Sequence, residues 1–179
     1  MKITISGLAG TGKSTVAKLL ANHLGYQNMS GGGIFRQMAE EQGMSVEEFD
    51  AFVNGGDESF DKKLDTRQQE YGASNDNFVL ESRLGWYFVP DAIKIKLVCD
   101  LDERIRRIAE DTSDSRIAHT QADFETTKKK TLDREATYSR YDSLYGIKEW
   151  NADEHFDYII DTTHISPQEV VAQILGYIQ

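Results

Sequence analysis

Gly7-Leu-Ala-Gly-Thr-Gly-Lys-Ser14 matches GxxxxGK[ST] at every fixed position. In this pattern glycines let backbone N–H groups turn inward around a phosphate. The lysine reaches the outer phosphates as a point charge, and the hydroxyl suits a hard cation. The flanks agree with the motif. Lys2-Ile-Thr-Ile-Ser6 has the β-branched character of a short strand. Past the loop, apolar residues at 16, 17, 19, 20 and 24 have helical spacing, and Gly25 is placed to stop that helix. Strand, glycine loop and helix open an α/β fold, and the helix adds its positive dipole end to the phosphate site. Gly7, Leu8, Ala9, Gly10, Thr11, Gly12, Lys13, Ser14 and Thr15 are therefore expected to bind ATP, with Ser14 holding Mg2+.

Outward from the loop, residues 26–30 read as a second strand and Gly31-Gly-Gly33 as a hinge or close-approach turn. From Ile34 to about Tyr71 the pattern is polar and helical, broken at Gly55-Gly56. Residues 77–82 and 93–99 are the next strands. The alternating lysines of the second give it one wetter face, and Cys99 is expected to be buried within it. A charged helix follows from Asp102, then a polar turn, then one long helix over about 122–145. Residues 156–161 form the last strand, and Ser166-Pro167 opens a final helix. Strands separated by helices predict a five-stranded parallel sheet in a three-layer sandwich, a single domain of 179 residues.

Bulk properties narrow the function classes. A net charge of −10 argues against broad nucleic-acid binding, which needs a positive field. No apolar run approaches the roughly 20 residues that cross a bilayer, and Met1 to Gly7 does not read as a secretory leader. One cysteine excludes an internal disulfide framework and fits a cytoplasmic protein. The four histidines lack metal-binding spacing and read as surface or cap residues. An acidic surface without large apolar patches fits a monomer. Neither Asn-Lys-x-Asp nor Asp-x-x-Gly occurs, which disfavours a GTPase. Met29-Ser-Gly-Gly-Gly33 looks like a transporter-ATPase signature but lies too close to the glycine loop.

A second anion site would separate transfer from hydrolysis. Arg36, Arg67 and Arg83 are the candidates. Arg83 and the Gly31-Gly33 turn both follow strands, and ligands in open α/β sheets bind at the carboxyl ends of strands. The planar guanidinium fork takes two phosphate oxygens at once.

In these features the chain resembles the archaeal-type (short) cytidylate kinases, within the nucleoside monophosphate kinases. The resemblance spans nearly the whole length. It rests on the glycine loop, Ser30-Gly-Gly-Gly-Ile-Phe-Arg36, Leu64-Asp-Thr-Arg-Gln68 and Val79-Leu-Glu-Ser-Arg-Leu84 with Trp86 behind it. Further on it rests on Arg134-Glu135, Arg140-Tyr141, Tyr145-Gly-Ile147 and Phe156-Asp-Tyr-Ile-Ile-Asp-Thr162. It implies an ATP-carrying core (1–30, 76–109 and 122–179), a monophosphate-binding insertion over 31–75 and a short lid near 110–121. Arg36 and Arg83 would hold the acceptor's phosphate, with Ser30, Gly33, Arg67 and Glu81 beside it. Arg104 and Thr163 would lie against ATP. Lys13, Arg107, Arg134 and Arg140 would surround the transferring phosphoryl group. On one continuous helix, Arg134 and Arg140 would stand roughly 120° apart.

Some positions depart from the family pattern. Ser82 replaces the usual glycine before Arg83, Gly33 stands where aspartate is common, and residues 110–116 lack a basic-glycine turn. Three readings stay open: CMP or dCMP kinase; a P-loop kinase of another small acceptor such as dephospho-coenzyme A, shikimate or another monophosphate; and a nucleotide-binding switch with little turnover. Glu81 has two readings, ordering of metal-bound water or an ion pair with Arg83. Trp86 and Tyr87 read as packing of the insertion on the core.

Overall fold

The computed structural model describes residues 1–54, 58–111 and 124–178. In chain order the elements are β1 (Lys2–Ser6), α1 (Lys13–Leu24), β2 (Gln27–Ser30), α2 (Gly31–Glu41), α3 (Val46–Asn54), α4 (Glu58–Ser74) and β3 (Phe78–Glu81). Then come α5 (Gly85–Phe88), β4 (Ile93–Val98), α6 (Leu101–Glu110), α7 (Phe124–Ala136), α8 (Arg140–Tyr145), β5 (Tyr158–Asp161) and α9 (Pro167–Ile178). All strand pairs are parallel, in the order β2-β3-β1-β4-β5. The chain reverses its direction across the sheet around β1, so a crevice opens at the strand ends beside the loop after β1.

Alternation along β1 divides the core. Ile3 and Ile5 face α1 and α9, packing with Val16, Leu20, Val79, Ile95, Leu97 and Ile174. On the opposite face Phe78 and Leu80 pack with Leu84, Phe88, Tyr138, Tyr141 and Trp150. Thr4 and Ser6 on that face are fully buried too, as expected of a strand covered on both sides. The insertion has its own core of Ile34, Met38, Ala39, Phe49 and Val53.

The helix ends obey the signals in the sequence. Gly25, at φ 66°, caps α1 and donates to the Ala21 and Asn22 carbonyls. At α9, Ser166 and Glu169 form a reciprocal capping box, Ser166 N donating to Glu169 Oε2 at 2.7 Å and Glu169 N to Ser166 Oγ at 3.3 Å. Ser45 and Glu48 do the same for α3.

Five expectations need correction. The helix expected over 122–145 is interrupted by a 3-10 turn, Thr137–Ser139. Three residues at about 120° rather than 100° each bring Arg134 and Arg140 to roughly 60° of one another instead of 120°. The lysine face of β4 is not wet. Lys96 is buried because the 150–156 loop covers it, its ammonium donating to the Asn151 carbonyl and, at 2.7 Å, to Asp153. Cys99 lies just past the end of β4 and is half-buried. His155 is no surface cap. Its ring stacks on Trp86 at 3.9 Å, and Trp86 Nε1 donates to the Trp150 carbonyl, so Trp86 packs the 150–156 loop rather than the insertion. The insertion meets α5 at Gly72 instead, where a Cβ would stand 2.6 Å from Val89 Cγ2. Of the expected lid, only Glu110 and Asp111 fall within the described residues.

Candidate active site

The loop between β1 and α1 has the backbone that its glycines permit. Gly7 sits at φ 146°, and a Cβ there would stand 2.4 Å from the Leu97 carbonyl oxygen. Gly10, at φ 79°, would meet the Arg104 carbonyl at 2.5 Å. Any side chain at either place would push the loop off β4 or α6. The first turn of α1 carries no acidic residue, so its dipole end is left for an anion. Ser14 and Thr15 are exposed there.

Lys13 folds over the loop and donates to the Leu8 carbonyl at 2.6 Å, while Thr11 Oγ1 reaches the same oxygen at 2.9 Å. Burial pushes the Lys13 ammonium down to about 8. Glu81 opposes that shift, and the positive charges of Arg83, Arg134 and Arg104 add to it. Burial is the main cause and the three cations add to it, an electrostatic setting that suits an anion.

Two arginines latch the loop from below. Arg104 is buried, pairs with Glu135 at 2.6 Å and donates to the Ala9 carbonyl at 3.2 Å. Arg107 donates to Glu103 at 2.8 Å and to the Thr162 carbonyl at 2.6 Å, with Thr162 Oγ1 at 3.1 Å and the Thr163 carbonyl at 3.3 Å. The Thr162 hydroxyl lies 3.1 Å from both the Thr11 and Val98 carbonyls, and its single proton serves one at a time. Thr163 Oγ1 donates to Asp161 at 2.6 Å and accepts from the Asp100 N–H at 3.0 Å. Arg104 therefore ties α7 to the glycine loop, while Arg107 and Thr163 bind the ends of β4 and β5 together and Thr162 joins them to Thr11. Arg107, expected beside the reacting phosphoryl group, has its guanidinium committed to this tie.

Across the crevice Arg83 lies over the Tyr138 ring at 4.4 Å and donates to the Tyr141 hydroxyl at 3.2 Å. Tyr138 and Tyr141 stack 5.9 Å apart, and the Arg140 guanidinium lies 6.0 Å from the Tyr141 ring. Stacking and one neutral hydrogen bond hold the Arg83 fork in place without cancelling its charge. Arg83 and Arg140 thus both lie beside Tyr141, and Arg83 and Arg134 both act on Lys13.

Residues 2–164 match the model of the cytidylate kinase-like family. The chain belongs to that family. It is 40% identical to a protein of Methanobrevibacter smithii named cytidylate kinase, over 98% of this chain and 96% of that one. A cytidylate kinase of Haloarcula marismortui is 37% identical over 100% and 90% of the two chains, and one of Thermococcus kodakarensis 38% identical over 95% and 83%. Among solved structures, a shikimate kinase from Bacteroides thetaiotaomicron superposes with a TM-score of 0.70 at 15% identity, covering 99% and 98%. One from Acinetobacter baumannii in complex with shikimate gives 0.63 at 20%, covering 99% and 92%. At those identities the likeness speaks for the shared three-layer fold alone.

The residues expected to bind an acceptor are distributed unevenly. Arg36 is exposed on α2. Arg67 is paired with Glu41 on the insertion surface at 2.5 Å, which holds the Glu41 carboxylate below its ordinary range and takes up the guanidinium fork. Ser30 Oγ accepts the Gly33 N–H at 2.9 Å, so these two residues cap α2. Glu81 is half-buried at the end of β3 and acts on Lys13. Sequence reasoning missed Tyr138 as part of the Arg83 cradle, although Tyr138 and Tyr141 are three apart and so share a helical face. It also missed Glu135 as the counter-charge of Arg104, and Gln68. No helix among the described residues is long and apolar enough to cross a membrane.

Proposed function

We propose that this chain transfers the γ-phosphoryl group of ATP to CMP or dCMP, giving ADP and CDP or dCDP. The observation that carries the proposal is that Arg83, held on the Tyr138–Tyr141 face, lies close enough to Lys13 in its glycine loop for its charge to act on it, which suits two phosphates brought together. Membership of the cytidylate kinase-like family and relatives named cytidylate kinase support the choice of acceptor.

An oxygen of the acceptor's phosphate attacks the γ-phosphorus as the bond to the β-bridging oxygen breaks, and ADP leaves with that electron pair. The attacking oxygen is already anionic, so no histidine base is needed, and charge neutralisation and alignment do the work. Lys13 and the α1 N-terminus hold the β- and γ-phosphates. Arg83, with Arg36, holds the acceptor phosphate. Arg134 and Arg140 balance charge on the group in flight. The donor set fits a magnesium ion held chiefly by the nucleotide. Ser14 offers an exposed hydroxyl, Glu81 stands near Lys13, and no cluster of three or more His, Cys, Asp or Glu forms a cage among the described residues. Such an ion would supply charge neutralisation between the β- and γ-phosphates.

ADP release measured with CMP, dCMP, UMP, AMP and shikimate, and with no acceptor, tests the reading. Release that depends on CMP or dCMP supports it. Release without acceptor, or with shikimate alone, overturns it.

A further inference from the structure

Gln68 on α4 is only 3% exposed, and its Oε1 is buried without a hydrogen-bond partner. An oxygen left so forfeits the hydrogen bonds that water gives it in the unfolded chain. Its orientation is chemically fixed. The Nε2 faces Asp65 Oδ1 at 3.3 Å, and only the nitrogen end of an amide can face a carboxylate. Asp65 is in turn held by the Tyr145 hydroxyl of α8, which donates to its other oxygen. The amide oxygen therefore points away from Asp65, toward the first turn of α2. A Cβ on Gly31 would stand 3.8 Å from Gln68 Oε1 and 3.9 Å from both the Glu81 carbonyl oxygen and Ser82 Oγ. The space that glycine leaves open is thus rimmed by three oxygens, at the ends of β2 and β3 and next to Arg83. Its complement is a hydrogen-bond donor.

We propose that Gln68, oriented by Asp65, reads the acceptor's base by accepting from an exocyclic amino group, so that a 4-aminopyrimidine is chosen over its 4-oxo counterpart. This rests on the acceptor being a nucleoside monophosphate bound through Arg83. Cytosine presents an amino donor at C4 where uracil presents a carbonyl oxygen, and an oxygen facing that carbonyl leaves two acceptors opposed. Ser82 would add its hydroxyl to the same rim, giving a role to the serine that stands in the glycine position.

Equilibrium binding of CMP and UMP to the full chain, by calorimetry, tests this separately from turnover. The wild type is expected to bind CMP at least tenfold more tightly than UMP. Gln68→Leu removes the amide and should bring the two within about threefold, chiefly by weakening CMP. Gly31→Ala adds a methyl group at ordinary contact distances, so the fold accepts it, and it should weaken CMP more than UMP by filling the rimmed space. In Asp65→Asn, Tyr145 still donates to the side-chain oxygen and the new amide N–H faces Gln68. Gln68 then accepts it and turns its own Nε2 to the base, and the preference should move toward UMP. Equal CMP and UMP affinities in the wild type, or variants that weaken both nucleotides by the same factor, would overturn the assignment. Absence of turnover alongside intact CMP selectivity would instead count against the kinase reading and leave the base reader standing.

Discussion

Lys13 carries two opposed duties, and its titration exposes both. With its pKa lowered from 10.5 to about 8, the folded protein takes up this proton less readily than the unfolded chain. The cost is fully present below pH 8 and fades between pH 8 and 10.5, because there the unfolded chain holds more protons than the fold. Lys13→Met should therefore raise stability in nucleotide-free protein at pH 7, by about 3 kcal/mol at most. The gain should vanish by pH 10.5, as read from denaturant melts at both pH values. The same variant should lose about 100-fold or more in kcat, since it removes charge from the transferring phosphates. In the wild type, ATP affinity should fall about tenfold per pH unit above pH 8, where the free protein gives up the proton that ATP would hold. A flat profile would place the titrating group elsewhere.

The arginines show what a sequence can and cannot tell at this scale. The position of Arg83 just past a strand end was legible, because strands of an open α/β sheet end at the ligand crevice. The partners of Arg107 were not legible, because one-dimensional spacing does not say that Thr162 and Thr163 come to meet it. Arg36→Ala should raise the acceptor's KM several-fold and ATP's far less, whereas Arg67→Ala should move neither by more than about twofold, since Glu41 already holds that fork. Steady-state kinetics with each substrate varied checks both.

Among the elements, α6 and α7 act as the frame of the glycine loop. Arg104 and Glu135 form a buried pair spanning the two helices, and Arg104 also supports the Ala9 carbonyl. Glu135→Gln leaves a buried guanidinium without its counter-charge and should cost about 3 kcal/mol. Because Arg104 sits under the loop, ATP's KM should rise as well. Ser166→Ala removes the cap of α9, far from the crevice, and should cost about 1 kcal/mol with turnover unchanged. Thermal melts paired with ATP titrations separate the two outcomes. The opening of α9 at Ser166 and the stop of α1 at Gly25 were readable in the sequence because they are local. The 3-10 turn at Thr137–Ser139 was not, since it accompanies the packing of Tyr138 against Trp150, a ring contact at 5.6 Å between residues joined only by the fold.

Over the whole molecule, the glycine loop with its flanking strand and helix foretold the three-layer α/β architecture, and alternating strand and helix patterns supplied the rest. The covering of Lys96 by the 150–156 loop was illegible, because alternation looks the same whether the far face meets water or a loop. The insertion has its own apolar core and meets the rest by packing of Gly72 on Val89 and Tyr71 on Phe78, and by polar ties among the described residues, such as Asp65 to Tyr145 and Tyr71 to Gln27. We propose that the insertion holds the acceptor and the core holds ATP. The central claim is transfer between the two. ATP labelled at its γ-phosphorus, incubated with the protein, magnesium and CMP, measures it most directly. The account predicts label in CDP, dependent on Lys13 and Arg83; label in inorganic phosphate alone would contradict it.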